Sequence, residues 1–251
     1  MPFTQTRAGR AFSTLFAALA VGLFALATTP STAAALTITF DGLDHGDVVT
    51  GFDGITISAD NPRFHDPADD YAVAFDSDFD GQTEDPDLEY AWDGGNLVGV
   101  PLGRILIVQE NTAGCSTGRC TRPDDEGSRP AGTLTFEFGV ATPFIGFDLI
   151  DVDSTMAENG AITLTDGEGA TATIDFASVL SGFDIGDNTA NRIEPIFAAR
   201  HGLEDIVSAE LLMGGSGAID NVEYGVAPEP ATAVLMGVGL IGLGYAGRRR
   251  T

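Results

Sequence analysis

The sequence predicts an all-β protein, a two-sheet β-sandwich of jelly-roll type, set between an N-terminal signal peptide and one C-terminal transmembrane helix. Three observations carry that expectation. Apolar and polar residues alternate in short runs, Gly, Asp, Asn and Pro bound those runs, and helical periodicity is confined to two brief stretches. Many short strands at this spacing, in a body of about 190 residues, bury their apolar faces as two packed sheets, with a closed barrel as the alternative.

The elements follow in order. Arg7 and Arg10 precede an uncharged stretch over 11–27, then Pro30 and the small residues Ala33, Ala34 and Ala35. Basic, apolar and small residues in that order make residues 1–35 a signal peptide, which implies Sec-type export machinery as a partner. The body is then 36–225. Its clearest strand runs are 36–40, 54–58, 71–75, 104–108, 133–138 and 144–150. Two hairpins are expected, 161–165 with 170–176 around Asp166 to Gly169, and 206–213 with 218–224 around Gly214 to Gly217. Helical turns are expected only near 176–180 and 196–201. Three long irregular zones, 60–70, 76–95 and 110–131, hold most of the acidic clusters and both cysteines, so a site is expected among them.

Charge narrows the function classes. The chain has no lysine, and 36–225 holds seven arginines against 36 acidic residues, a net charge of −29. Such a surface repels nucleic acid and anionic lipid. It suits either salty surroundings or bound cations, since screening and Ca²⁺ ligation relieve the same repulsion. Cys115 and Cys120 close a tiny loop, and in an oxidising compartment they are expected as a disulfide. A metal site would need more soft ligands, and the spacing is not that of a redox motif.

The sharpest local constellation is Asp76, Asp78, Asp80, Gly81, Glu84 and Asp87. Acidic groups at positions 1, 3, 5, 9 and 12, with Gly at 6, reproduce the ligand spacing of a calcium loop. Asp87 is shorter than the usual closing Glu, Pro86 precedes it, and strands rather than helices flank the segment. An EF-hand is therefore not expected. The residues read either as a Ca²⁺-ordered loop on a β-scaffold or as a solvated acidic loop. Trp92 beside Tyr90 could stack on a sugar face or pack inward. His45, His65 and His201 stand singly, without metal-ligand spacing. The turn Arg129-Pro130-Ala131-Gly132 could set Arg129 against Asp124 or Asp125, as a rim ion pair. With so many acids, nominating a catalytic pair for a glycosidase carries no information.

The tail, residues 226–251, has three parts. Pro228, Glu229 and Pro230 precede an apolar span over 231–247, and Arg248, Arg249 and Arg250 follow. At about 1.5 Å per residue the span reaches about 26 Å, and snorkelling arginines make up the rest of a bilayer core. A G-x-G-x-x-G match at Gly237, Gly239 and Gly242 lacks the strand and helix that a dinucleotide site needs, and is discounted. The three parts in this order resemble the PEP-CTERM sorting domain of exported Gram-negative proteins. That resemblance implies an exosortase-like processing enzyme, transient residence in the inner membrane through the C-terminal helix, and a final place at the cell surface or in the extracellular matrix. The body is similar to lectin-like β-sandwiches attached to such tails, on the segments Asp85-Pro86-Asp87-Leu88, Asp124 to Gly132, Phe147 to Asp153 and Gly217 to Asn221. Together these point to a non-catalytic binding or structural module, calcium-dependent and associated with exopolysaccharide. The alternative is a secreted jelly-roll hydrolase acting on glycans through paired carboxylates.

Overall fold

A computed structural model describes residues 34–63, 70–79, 83, 85–112, 114–116, 118–125, 130–153 and 159–226. The remainder of the expected signal peptide, the apolar span, and the residues Pro228, Glu229, Pro230, Arg248, Arg249 and Arg250 lie outside them. Among the described residues no helix is long and apolar enough to cross a membrane.

The body is one compact unit, Ala34–Val226, two residues longer at its start than the expected 36. Its described residues form fourteen strands: β1 (Ala34–Ile38), β2 (Gly51–Phe52), β3 (Ile55–Asp60), β4 (Ala72–Asp76), β5 (Arg104–Val108), β6 (Cys115–Ser116), β7 (Arg119–Cys120), β8 (Gly132–Thr142), β9 (Phe144–Ile150), β10 (Ala161–Thr165), β11 (Thr171–Asp175), β12 (Ala190–Phe197), β13 (Ile206–Met213) and β14 (Ala218–Val226). Among the described residues the helical elements are α1 (Phe176–Val179) and two 3-10 turns, Pro86–Leu88 and Ala198–His201. The first sheet runs β12-β9-β14-β5-β4, with β1 also on β14. The second runs β11-β10-β13-β8-β3-β2, and β6 and β7 form a separate small hairpin.

The two large sheets share one hydrophobic core. Ile57, Leu134, Phe136, Ile162 and Leu211 enter it from the second sheet, and Leu106, Phe147, Leu149 and Ile219 from the first. Strand β8 alternates buried and more open positions over most of its length, as expected where one face meets the core and the other meets water. Strand β9 is buried throughout. Its outer face packs into a second cluster, in which Ile150 joins Leu88, Trp92, Leu97 and Leu102 from the segment between β4 and β5. That segment clasps β12. Leu97 N–H donates to the Ala190 carbonyl at 3.0 Å, Ala190 N–H donates to Gly94 at 3.1 Å, and Arg192 N–H donates to Asn96 Oδ1 at 2.7 Å.

One expected pairing is corrected. Strands 206–213 and 218–224 do not form a hairpin, because β13 pairs with β8 and β10 in the second sheet while β14 pairs with β1, β5 and β9 in the first. Gly214 to Gly217 is a crossover between sheets. The side chain of Asp125 holds it there by accepting the Gly217 N–H. The other expected hairpin, β10 with β11, is present.

Candidate functional site

The acidic run at 76–87 divides between two places. Asp76, at the end of β4, forms an ion pair with Arg104 across the β4–β5 ladder and accepts the Asp78 N–H at 3.2 Å. Its own N–H donates to His45 Nδ1 at 3.0 Å, and His45 stacks on Phe79. The Asp78 carboxyl is raised by partial burial and then by Asp76. Asp87 lies in the 3-10 turn Pro86–Leu88, and its carboxyl is raised by burial and then by Asp85 and Asp187. Asp80 and Glu84 lie outside the described residues. The spacing therefore opens at one anchored group and ends at another, and no contact in the described residues joins Asp76 to Asp87.

The second place is a buried carboxylate group with no local sequence spacing. Asp85 is fully buried and Asp125 is 1 % exposed. The two side chains lie within hydrogen-bonding reach, and burial followed by Asp85 pushes the Asp125 carboxyl well up. Asp125 accepts the Gly217 N–H, and Ser216 Oγ lies 3.1 Å from its other oxygen. Ser216 Oγ is also 3.0 Å from Asp151 Oδ2, while Asn188 N–H donates to Asp151 Oδ1 at 2.8 Å. Burial, opposed by those hydrogen bonds and reinforced by Asp85 and Asp87, raises Asp151 to about 6. Among the described residues neither oxygen of Asp85 has a donor. Arg129, expected near Asp124 or Asp125, lies outside the described residues.

A further pair sits on neighbouring strands. Asp148 of β9 and Asp220 of β14 stand opposite each other in register and are both buried. Arg192 grips Asp148 in a two-pronged pair at 2.7 and 2.8 Å, and Asn221 Nδ2 donates to both acids. Among the described residues Asp220 keeps one oxygen without a donor, and burial raises it to about 8.

Among the described residues, no three His, Cys, Asp or Glu side chains stand as a formed metal centre. Trp92 is 3 % exposed and its Nε1–H donates to the Val100 carbonyl at 2.9 Å, so its ring packs the strap and offers no face to a sugar. Tyr90 meets it edge-on and stays 39 % exposed. Cys115 and Cys120 are joined as a disulfide across the β6–β7 hairpin. Surface clefts of about 230, 220 and 170 Å³ each present one acidic residue, Glu194, Glu223 and Asp53. None brings two carboxylates to face a substrate. Asp85, Asp125, Asp151 and Ser216 were not singled out as ligands by sequence reasoning, because they are spread over four segments with no common spacing.

Residues 226–250 match the PEP-CTERM protein-sorting motif. Among curated proteins no sequence matches the chain.

Proposed function

We propose that this chain, which carries a PEP-CTERM tail, is exported, anchored in the inner membrane through that tail, released by an exosortase-like enzyme, and retained as a non-catalytic module of the cell surface or extracellular polymer matrix. The match over 226–250 carries this reading, because a PEP-CTERM motif implies an exported chain held at the membrane until processing. The motif starts where β14 ends, at Val226, so the body closes its first sheet before the sorting sequence begins. The finer part of the proposal concerns the module. Its acidic loops take up calcium, and exopolysaccharide is the neighbour that a β-sandwich of jelly-roll kind meets in such a matrix.

The sorting part is tested by replacing Pro228, Glu229 and Pro230 with Ala in a host that has an exosortase. The altered protein is expected in the inner membrane at full length, because the apolar span still inserts while the processing enzyme has lost its motif. Normal tail removal and surface delivery would refute the proposal.

A further inference from the structure

Asp85 is fully buried, and among the described residues neither of its carboxylate oxygens has a hydrogen-bond donor. A buried ionised group in that condition is sustained only when something else neutralises it. Its neighbour within hydrogen-bonding reach is another buried acid, Asp125. As two carboxylates, neither has a hydrogen to give. The same deficit recurs one step further on. Ser216 Oγ lies 3.1 Å from Asp125 and 3.0 Å from Asp151, yet a hydroxyl has one hydrogen for two acceptors.

A proton shared between Asp85 and Asp125 would satisfy one oxygen of Asp85 and leave the other bare. A cation can take both, and it removes two negative charges where a proton removes one. Charge favours the cation as well. Ser216 holds a third buried acid, Asp151, beside Asp125.

We infer that Asp85, Asp125 and the Ser216 hydroxyl, with Asp151 behind it, form a buried site for one divalent cation of the calcium type. The donors are oxygens from four separate segments. Calcium accepts six to eight such ligands in irregular geometry and completes its shell with water, whereas magnesium demands a tighter octahedron. Asp151 meets the pair through Ser216 rather than directly, which is why three carboxylates do not yet converge on one point. This inference deepens the calcium part of the proposed function and rests on it. It moves the ion from the 76–87 spacing to a group joined by folding.

The test is calorimetric titration of the intact chain in detergent, stripped with EDTA and desalted, with calcium chloride at constant ionic strength. One saturable site with a dissociation constant of about 0.1–1 mM is expected, and weaker binding of magnesium. Asp85→Asn should weaken calcium at least tenfold, while Asp78→Asn should leave it within twofold. In EDTA, Asp85→Asn should melt no lower than the natural chain, because its amide gives Asp125 a donor, and this melt reports that the variant is folded. If it does not fold, Asp151→Asn replaces it, with the same tenfold loss expected. Calcium retained in the folded variant overturns the inference. Loss in Asp78→Asn with retention in Asp85→Asn also overturns it, while keeping the calcium reading for the 76–87 loop. No saturable binding by the natural chain overturns both.

Discussion

Asp220 holds a carboxyl where water does not reach, and its protonation is coupled to folding. Burial is the first cause of its rise to about 8, with Asp148 and Asp41 adding to it, against the Asn221 hydrogen bond and Arg192. In an unfolded chain the same group titrates near 4. The native state therefore keeps a proton that the unfolded state releases between these values, so stability falls as pH rises through this window. The contribution is complete below about pH 4 and lost as pH passes about 8. Asp220→Asn should flatten the upper part of the fall, between about pH 6 and 8, in melting temperatures recorded against pH, and should raise the melting temperature at pH 8. Asp148 differs in its partners, because Arg192 and Asn221 both donate to it. Asp148→Ala removes the acceptor of both, and because the exposed Arg192 can turn to water a loss of about 1–2 kcal/mol is expected in denaturant unfolding. Neither acid could be distinguished from the other carboxylates of the body by sequence. What separates them is the partner opposite, and Arg192 lies 44 residues from Asp148.

At the scale of elements, runs bounded by turn residues were legible and pairings between sheets were not. Strand β9, β5 and the β10–β11 hairpin stand where alternation and turns put them, because their signals are local. Strand β12 escaped notice. It carries Pro195 within a shift of register between Ile193 and Ile196, which an edge strand tolerates. The glycine-rich link at 214–217 reads locally as a hairpin turn, yet its role is set by Asp125, 92 residues from Gly217. The strap over β9 reads locally as a loop, although Leu88, Trp92, Leu97 and Leu102 bury its inner side. Gly95 shows how tightly the strap is applied. Its φ is +92°, and a Cβ there would lie 2.1 Å from the Ala190 carbonyl oxygen. Gly95→Ala should therefore cost about 2 kcal/mol or more and expose the buried Trp92 to quenchers before global unfolding. Unchanged quenching and stability would mean that the strap does not depend on this close approach.

At the scale of the whole molecule, an excess of negative charge acts on an otherwise well-packed core. The formal net charge is −25, and the chain carries no lysine to offset its acids. Repulsion among exposed carboxylates opposes compaction, and salt shortens its reach from about 10 Å at 0.1 M to about 3 Å at 1 M. The melting temperature should thus climb with sodium chloride. The exposed residues Glu137, Glu168 and Glu204 offer a way to separate this general effect from a specific ion. Changing all three to Lys removes repulsion without touching Asp85 or Asp125, so the variant should melt several degrees higher than the natural chain in dilute buffer. In 1 M salt the two should converge, because the interaction removed by mutation is then already screened. The additional shift given by millimolar calcium over ionic-strength-matched sodium should remain the same in both proteins. If the three substitutions abolish that additional shift, calcium acts by screening the surface rather than by filling a site inside it.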